Sequence, residues 1–266
     1  MDSRVTFGGR DREIEGYLAL PEGEALPGVV VIQEIWGLDE HIEDVARRFA
    51  AEGYVALAPD LYTGEWSEVM TPERVTAGMA FLRSASQEVQ RDPEKFESAL
   101  ADRPQEERDA TKMLATAMSP EGRLRFALDL LGAVEYLKGR PEVDAGRIGS
   151  IGFCMGGALS GLLATLSPDL RAAVIFYGNN PPPERVPDIQ ARVLGIYGGE
   201  DARITGGVPE LEAAMREAGK RFEYHVYPEA PHAFFNDTRP NYREEAARDA
   251  WDRVLELFDE TLKAGG

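Results

Sequence analysis

The 266-residue chain is poor in the residues that staple a fold or hold a metal, with one cysteine, Cys154, and three histidines. A lone cysteine has no partner within the chain for a disulfide, which points to a reducing compartment and leaves the thiol free for chemistry. So few cysteines and histidines, with no His-Glu-x-x-His pattern, give a metal site no support, and no cofactor is expected. Positive charge is scarce as well: 29 Lys and Arg against 47 Asp and Glu leave a net charge of −18. Nucleic acid needs a clustered basic surface, so that balance argues against it, and equally against an anionic membrane. No run is long and apolar enough to span a bilayer. Met1-Asp2-Ser3-Arg4 has no basic segment followed by an apolar stretch, so a cytoplasmic protein is expected. In that setting Asn236-Asp237-Thr238 matches the glycosylation pattern by coincidence. There is no internal repeat and no low-complexity segment.

What is present is a core's worth of apolar residues, 43% of the chain. That suits a single α/β domain over residues 1–266 better than two independent domains. Val5-Thr6-Phe7 and Ile14 to Leu20 alternate in the strand period around Gly8-Gly9-Arg10-Asp11, which predicts an antiparallel hairpin. Val29 to Ile32 and Tyr54 to Ala58 are short continuous apolar runs, the mark of strands buried on both faces. His41 to Glu52 has helical periodicity between them. Residues 62–120 break the rhythm and predict a helical insertion, with helices at Thr71 to Ser84 and in parts of Pro93 to Met118. It reads either as a lid or as a solvated decoration. Alternation then resumes: helix Leu124 to Leu137, strand Arg147 to Phe153, helix Met155 to Leu166, and strand Ala172 to Tyr177. Strand Val193 to Tyr197, helix Val208 to Glu217, strand Phe222 to Tyr227 and a closing helix Tyr242 to Leu262 complete it. The predicted fold is α/β, a mostly parallel central sheet with helices on both faces.

Chemistry concentrates where Gly152-Phe153-Cys154-Met155-Gly156 carries a strand through a sharp glycine turn into a helix. This is the spacing of the G-x-S-x-G nucleophile elbow, with sulfur in place of oxygen. In an open α/β sheet, reactive residues gather on loops leaving the carboxyl ends of strands. Asp201 and His232 sit on two such loops, so nucleophile, acid and histidine come in the chain order of the α/β-hydrolase fold. A thiol is mostly protonated at neutral pH and needs help to attack a carbonyl. Cys154 gains from the positive end of the helix that it precedes. His232 can take and return the proton, and Asp201 can fix its tautomer, although the adjacent Glu200 could serve in that place. The backbone N–H groups of Ile35 and Met155 are the expected oxyanion donors. His41, opening a helix, and His225, within a strand, read as structural.

Together these residues resemble the dienelactone hydrolase family (carboxymethylenebutenolidases). The likeness is carried by Gln33-Glu34-Ile35-Trp36-Gly37, Ala58-Pro59-Asp60-Leu61-Tyr62, the cysteine elbow, Gly199-Glu200-Asp201 and His232-Ala233-Phe234. It implies a Cys154-His232-Asp201 triad that cleaves a small lactone or carboxylic ester through an acyl-enzyme. It also gives Glu34 a role, holding the thiol at rest and taking its proton when substrate enters. The family's dienelactone-cleaving members grip a substrate carboxylate with arginines, one of them four residues after the histidine. Here that position is Asn236. Candidate substrate contacts are therefore Asn236, Trp36 and Phe234, with Arg83, Arg203 and Arg239 as substitutes for the missing arginines. A monomer or homodimer is expected. Two other function classes stay open: a non-catalytic ligand receptor that keeps the hydrolase fold, and a thiol redox protein, which would lack a resolving cysteine.

Overall fold

Val29, Val30, Val31 and Ile32 are all fully buried, and they face two different cores. Val30 and Ile32 belong to one hydrophobic cluster, Val29 and Val31 to the other. A strand's period of two sends successive side chains to opposite faces, so a continuous apolar run requires a sheet covered on both sides. The computed structural model, which describes residues 2–263, shows that arrangement. Met1 and 264–266, part of the expected 1–266 domain, lie outside the described residues.

The hairpin strands β1 (Asp2–Gly8) and β2 (Glu13–Ala19) are followed by β3 (Leu26–Ile32), α1 (Glu40–Ala51) and β4 (Val55–Pro59). A helical stretch comes next: α2 (Pro72–Ser84), α3 (Gln87–Arg91), α4 (Pro93–Leu100) and α5 (Gln105–Met118). Then come α6 (Pro120–Lys138), β5 (Val143–Phe153), α7 (Met155–Leu166), β6 (Leu170–Phe176), β7 (Arg192–Gly198), α8 (Ala202–Thr205), α9 (Val208–Glu217), β8 (Phe222–Tyr227) and α10 (Glu244–Phe258). The sheet order is β1-β2-β4-β3-β5-β6-β7-β8. β1 with β2 and β2 with β4 pair antiparallel, and every pairing from β4 to β8 is parallel. α1 and α10 cover one face through Ile42, Phe49, Val254 and Phe258. α6, α7 and α9 cover the other through Phe126, Leu130, Leu159, Leu163 and Leu211. Among the described residues, no helix is long and apolar enough to cross a membrane.

Several details differ from the sequence pattern, beginning with α6, which starts at Pro120 rather than Leu124, and β5, which starts at Val143 rather than Arg147. The last helix starts at Glu244 rather than Tyr242, because the Arg243 N–H donates to the Phe234 carbonyl (3.0 Å) and ties that backbone to the His232 loop. Residues 259–263 continue it as a turn of π-helix. The proline-rich loop closes into a 3₁₀ helix at Pro183–Asp188, a tight form compatible with its prolines. The short α8 after Asp201 was not visible as periodicity at all, being a single turn.

The segment between β4 and α6 is packed rather than draped. Trp66, Met70, Val75, Phe81 and Leu114 all join the cluster that lies over the sheet on the α6 side, and the Trp66 and Phe126 rings stand 5.3 Å apart. Leu114 of α5 is fully buried in that cluster. Leu114→Ala should therefore destabilise the protein by about 2–5 kcal/mol in urea unfolding, the range for deleting a core leucine. A solvated decoration would lose no more than about 0.5 kcal/mol.

Candidate active site

The chain leaves β3 towards β4 on one side, while β5 lies on the other, so the strand order reverses between β3 and β5. Ile32 pairs with Gly152 at the carboxyl edge, and the two loops that follow therefore emerge side by side. One carries Glu34 and the other Cys154. Loops leaving a parallel sheet at such a reversal make a ready-made crevice.

Cys154 has φ 57° and ψ −112°, a backbone conformation that L-residues rarely adopt. Its N–H donates to the Phe176 carbonyl (3.0 Å) and its carbonyl accepts from the Ala158 N–H (3.2 Å), which fastens the turn on both sides. The flanking glycines follow from space. A Cβ on Gly152 would lie 1.9 Å from the Gly156 carbonyl oxygen. One on Gly156 would lie 2.4 Å from the carbonyl oxygens of both Ile32 and Gln33.

His232 Nδ1 is 2.5 Å from Asp201 Oδ2, while Glu200 is exposed and makes no bond to the histidine. The loop is held by Asn241, whose side chain donates to the His232 carbonyl (2.9 Å), and Ala233 takes up the turn at φ 61°. Burial pulls the imidazole pKa down, but hydrogen bonds to Asp201 and Cys154, with their charges, outweigh it and push the value up to about 10.

Glu34 is 2% exposed. Burial raises its carboxyl from 4.5 to about 7, against the opposing pull of an Asn236 hydrogen bond and of the His232 and Arg239 charges. Asn236 Nδ2 donates to Glu34 Oε2 at 2.6 Å, and the amide cannot turn because its Oδ1 accepts from the Thr238 N–H (3.0 Å) and hydroxyl (2.7 Å). Glu34 Oε1 has no partner, and neither has the buried hydroxyl of Tyr177. Burial, followed by the nearby charges of Glu34 and Cys154, raises the Tyr177 pKa, and its ring stands 5.1 Å from that of His232. The Tyr62 hydroxyl donates to the Ile35 carbonyl (2.9 Å), bracing the loop after β3. Among the described residues, neither the Ile35 nor the Met155 N–H is used in a turn, cap or side-chain hydrogen bond.

Residues 14–262 match the dienelactone hydrolase family. The chain belongs to that family. It is 37% identical over 264 residues to a protein of Saccharolobus solfataricus provisionally named a carboxymethylenebutenolidase, covering 99% of this chain and 100% of that one. A solved structure provisionally identified as a dienelactone hydrolase from Klebsiella pneumoniae superposes with TM-score 0.72 at 31% identity, over 97% of this chain and 98% of that chain. The acylaminoacyl peptidase of Pyrococcus horikoshii superposes with TM-score 0.69 over 100% of this chain and 42% of that one. At 16% identity this likeness speaks for the α/β-hydrolase fold alone.

Within this dienelactone hydrolase fold, the expected site residues separate into two groups. Glu34, Ile35, Cys154, Met155, Asp201 and His232 converge at one edge. Trp36 joins them, with the Arg239 guanidinium 4.2 Å above its ring. The remaining candidates lie elsewhere or do other work. Phe234 is fully buried between Tyr177 and Tyr227, so it is core beneath the histidine loop and offers no surface to a substrate. Asn236 is likewise fully buried and turned onto Glu34. Arg83 is exposed in the last turn of α2, and Arg203 lies on α8 beside a neighbouring cavity. Tyr62 and Tyr177 were missed, because no local pattern marks a residue whose neighbours in the site are far away in the chain; Thr238, two residues from Asn236, was read only as part of a glycosylation triplet.

The buried Glu34 carries a pH signature. With its folded value above its unfolded one, the folded protein keeps a proton that the unfolded chain gives up. The associated stability is present below about pH 4.5 and is lost as pH rises through about 7. Glu34→Gln removes that dependence, so the variant should gain on the wild type between pH 5 and pH 8.5, by about 3 kcal/mol in chemical unfolding. A difference independent of pH would show that the carboxyl titrates normally.

Proposed function

We propose that this protein hydrolyses a carboxylic ester or lactone, with Cys154 as nucleophile, His232 as acid and base, and Asp201 as the group that orients the imidazole. The observation that carries the reading is the 2.5 Å contact between His232 and Asp201, with Cys154 at the elbow acting with Asp201 to raise the imidazole pKa. Family membership and the names of the relatives support the substrate class.

In this scheme the Cys154 sulfur attacks the carbonyl carbon, and the oxyanion is held by the Ile35 and Met155 N–H groups. The tetrahedral intermediate collapses as His232 gives its proton to the leaving alkoxide, leaving a thioester on Cys154. Having given its proton to the alkoxide, the neutral imidazole then serves as base for the water that releases the acid, and the sulfur leaves the thioester to recover the proton held on Glu34. His232 thus acts first as acid and then as base without moving. Glu34 takes the thiol proton before attack, which a carboxyl near 7 can do at neutral pH and an ordinary surface carboxylate does less well.

Iodoacetamide should alkylate Cys154 and abolish cleavage of a simple aryl ester, and Cys154→Ala should lower kcat/KM at least about 10³-fold. Full turnover after complete alkylation would falsify the nucleophile. For Glu34, kcat/KM should rise with pH through about 7 as the carboxyl loses its proton, and Glu34→Gln should flatten that limb. An unchanged limb in the variant would assign the titration to another group.

A further inference from the structure

Beside the reaction centre, a cavity of about 570 Å³ opens between α6, α7, α9 and the proline-rich loop after β6. Cys154 is not on its wall, but Ala158 and Leu162 are. These stand four and eight residues after the nucleophile, on the same face of α7, so the cavity runs away from Cys154 along about 12 Å of helix. Much of its lining is apolar, including Leu124 and Leu211.

Three arginines, Arg123, Arg185 and Arg203, line the same space. Among the described residues, none of the three makes an ion pair or a side-chain hydrogen bond. Several other arginines of this acidic chain do sit on carboxylates, as with Arg12 and Asp129, Arg140 and Glu142, and Arg192 and Glu223. Arg123 is half-buried, and burial alone pulls its guanidinium below the ordinary range, with no carboxylate to offset that cost. The only carboxylate on the wall is Glu210, which is exposed. Pro120, the first residue of α6, and Gly207, the cap of α9, also border the space, so the positive ends of two long-enough helices add to the field.

We propose that this cavity is the subsite for a distal anionic group of the substrate: a carboxylate or phosphate at the far end of an apolar chain, gripped by Arg123, Arg185 and Arg203. The proposal rests on the reading of Cys154 as an ester-cleaving nucleophile. It also sets a length: an acid group adjoining a small lactone ring would stay near Cys154, whereas this cavity calls for an elongated ester.

The test compares 4-nitrophenyl octanoate with the 4-nitrophenyl monoester of suberic acid, which has the same chain ending in a carboxylate. An analogous ester ending in a phosphonate is the second arm. The anionic ester should have the higher kcat/KM by tenfold or more, chiefly through KM. Arg123→Met and Arg185→Met should each cut that preference at least tenfold. Arg221→Met, which removes the same charge from an exposed position outside the cavity, should keep it. Equal rates on the two esters, or a preference that survives both cavity substitutions, would overturn the proposal. The better of the two anionic arms identifies the head group. Calorimetric binding of free suberate to Cys154→Ser protein separates the two readings. If suberate binds, requires Arg123, and yet no ester is turned over by the wild type, the hydrolase reading falls and the cavity stands. If esters are cleaved but suberate does not bind at millimolar concentration, the cavity proposal falls alone.

Discussion

The backbone of the first turn of α7 lies against the carbonyl oxygens that end β3, at a separation where no side-chain carbon fits. Much else in the site depends on that approach. It brings the loop after β3, with Glu34 and Ile35, beside the elbow that carries Cys154. A residue larger than glycine at 152 or 156 would have to push the first turn of α7 away from the ends of β5 and β3. In a densely packed interior that motion would disturb the core that α7 forms with the sheet.

The second organising feature is how little countercharge the buried groups receive. Glu34 has an amide for a partner, where an arginine would have held it permanently ionised, and one of its oxygens has none. His232, in contrast, is bonded to the Asp201 carboxylate. The carboxyl is therefore held near neutrality while the imidazole is held charged. The same economy explains Asn236 in place of an arginine: a fixed positive charge against Glu34 would stabilise its carboxylate and weaken it as a proton acceptor.

The parts of this arrangement that were legible in the sequence are those whose causes are local. The elbow could be read because its glycines lie two residues either side of Cys154. The strand of Val29 to Ile32 could be read because a run of β-branched residues is itself the signal, and the order of Cys154, Asp201 and His232 because strands alternate with helices so regularly. Asp201 was preferred to Glu200 for its place in the turn, but one residue of difference decides which side chain faces the imidazole, and only the folded loop displays that. Glu34 looked like an ordinary loop carboxylate until a family resemblance singled it out. Asn236 lies 202 residues away from it, and no spacing rule reaches that far. The unpaired state of Arg123, Arg185 and Arg203 is hidden for the same reason: whether a charge has a partner is a property of the folded surface, which composition averages away.

The Asn236-Asp237-Thr238 triplet has a practical side. Its asparagine is wholly buried, and the nitrogen that a glycan would occupy is the one that donates to Glu34. Oligosaccharide transfer acts on the extended chain during translocation, before that nitrogen is out of reach. Yeast or insect secretion would then produce protein that cannot close this corner of the molecule, however well it is translated. Bacterial cytosol is the better host for recombinant work, and Thr238 cannot simply be swapped to remove the signal, because its hydroxyl and N–H fix the asparagine in place.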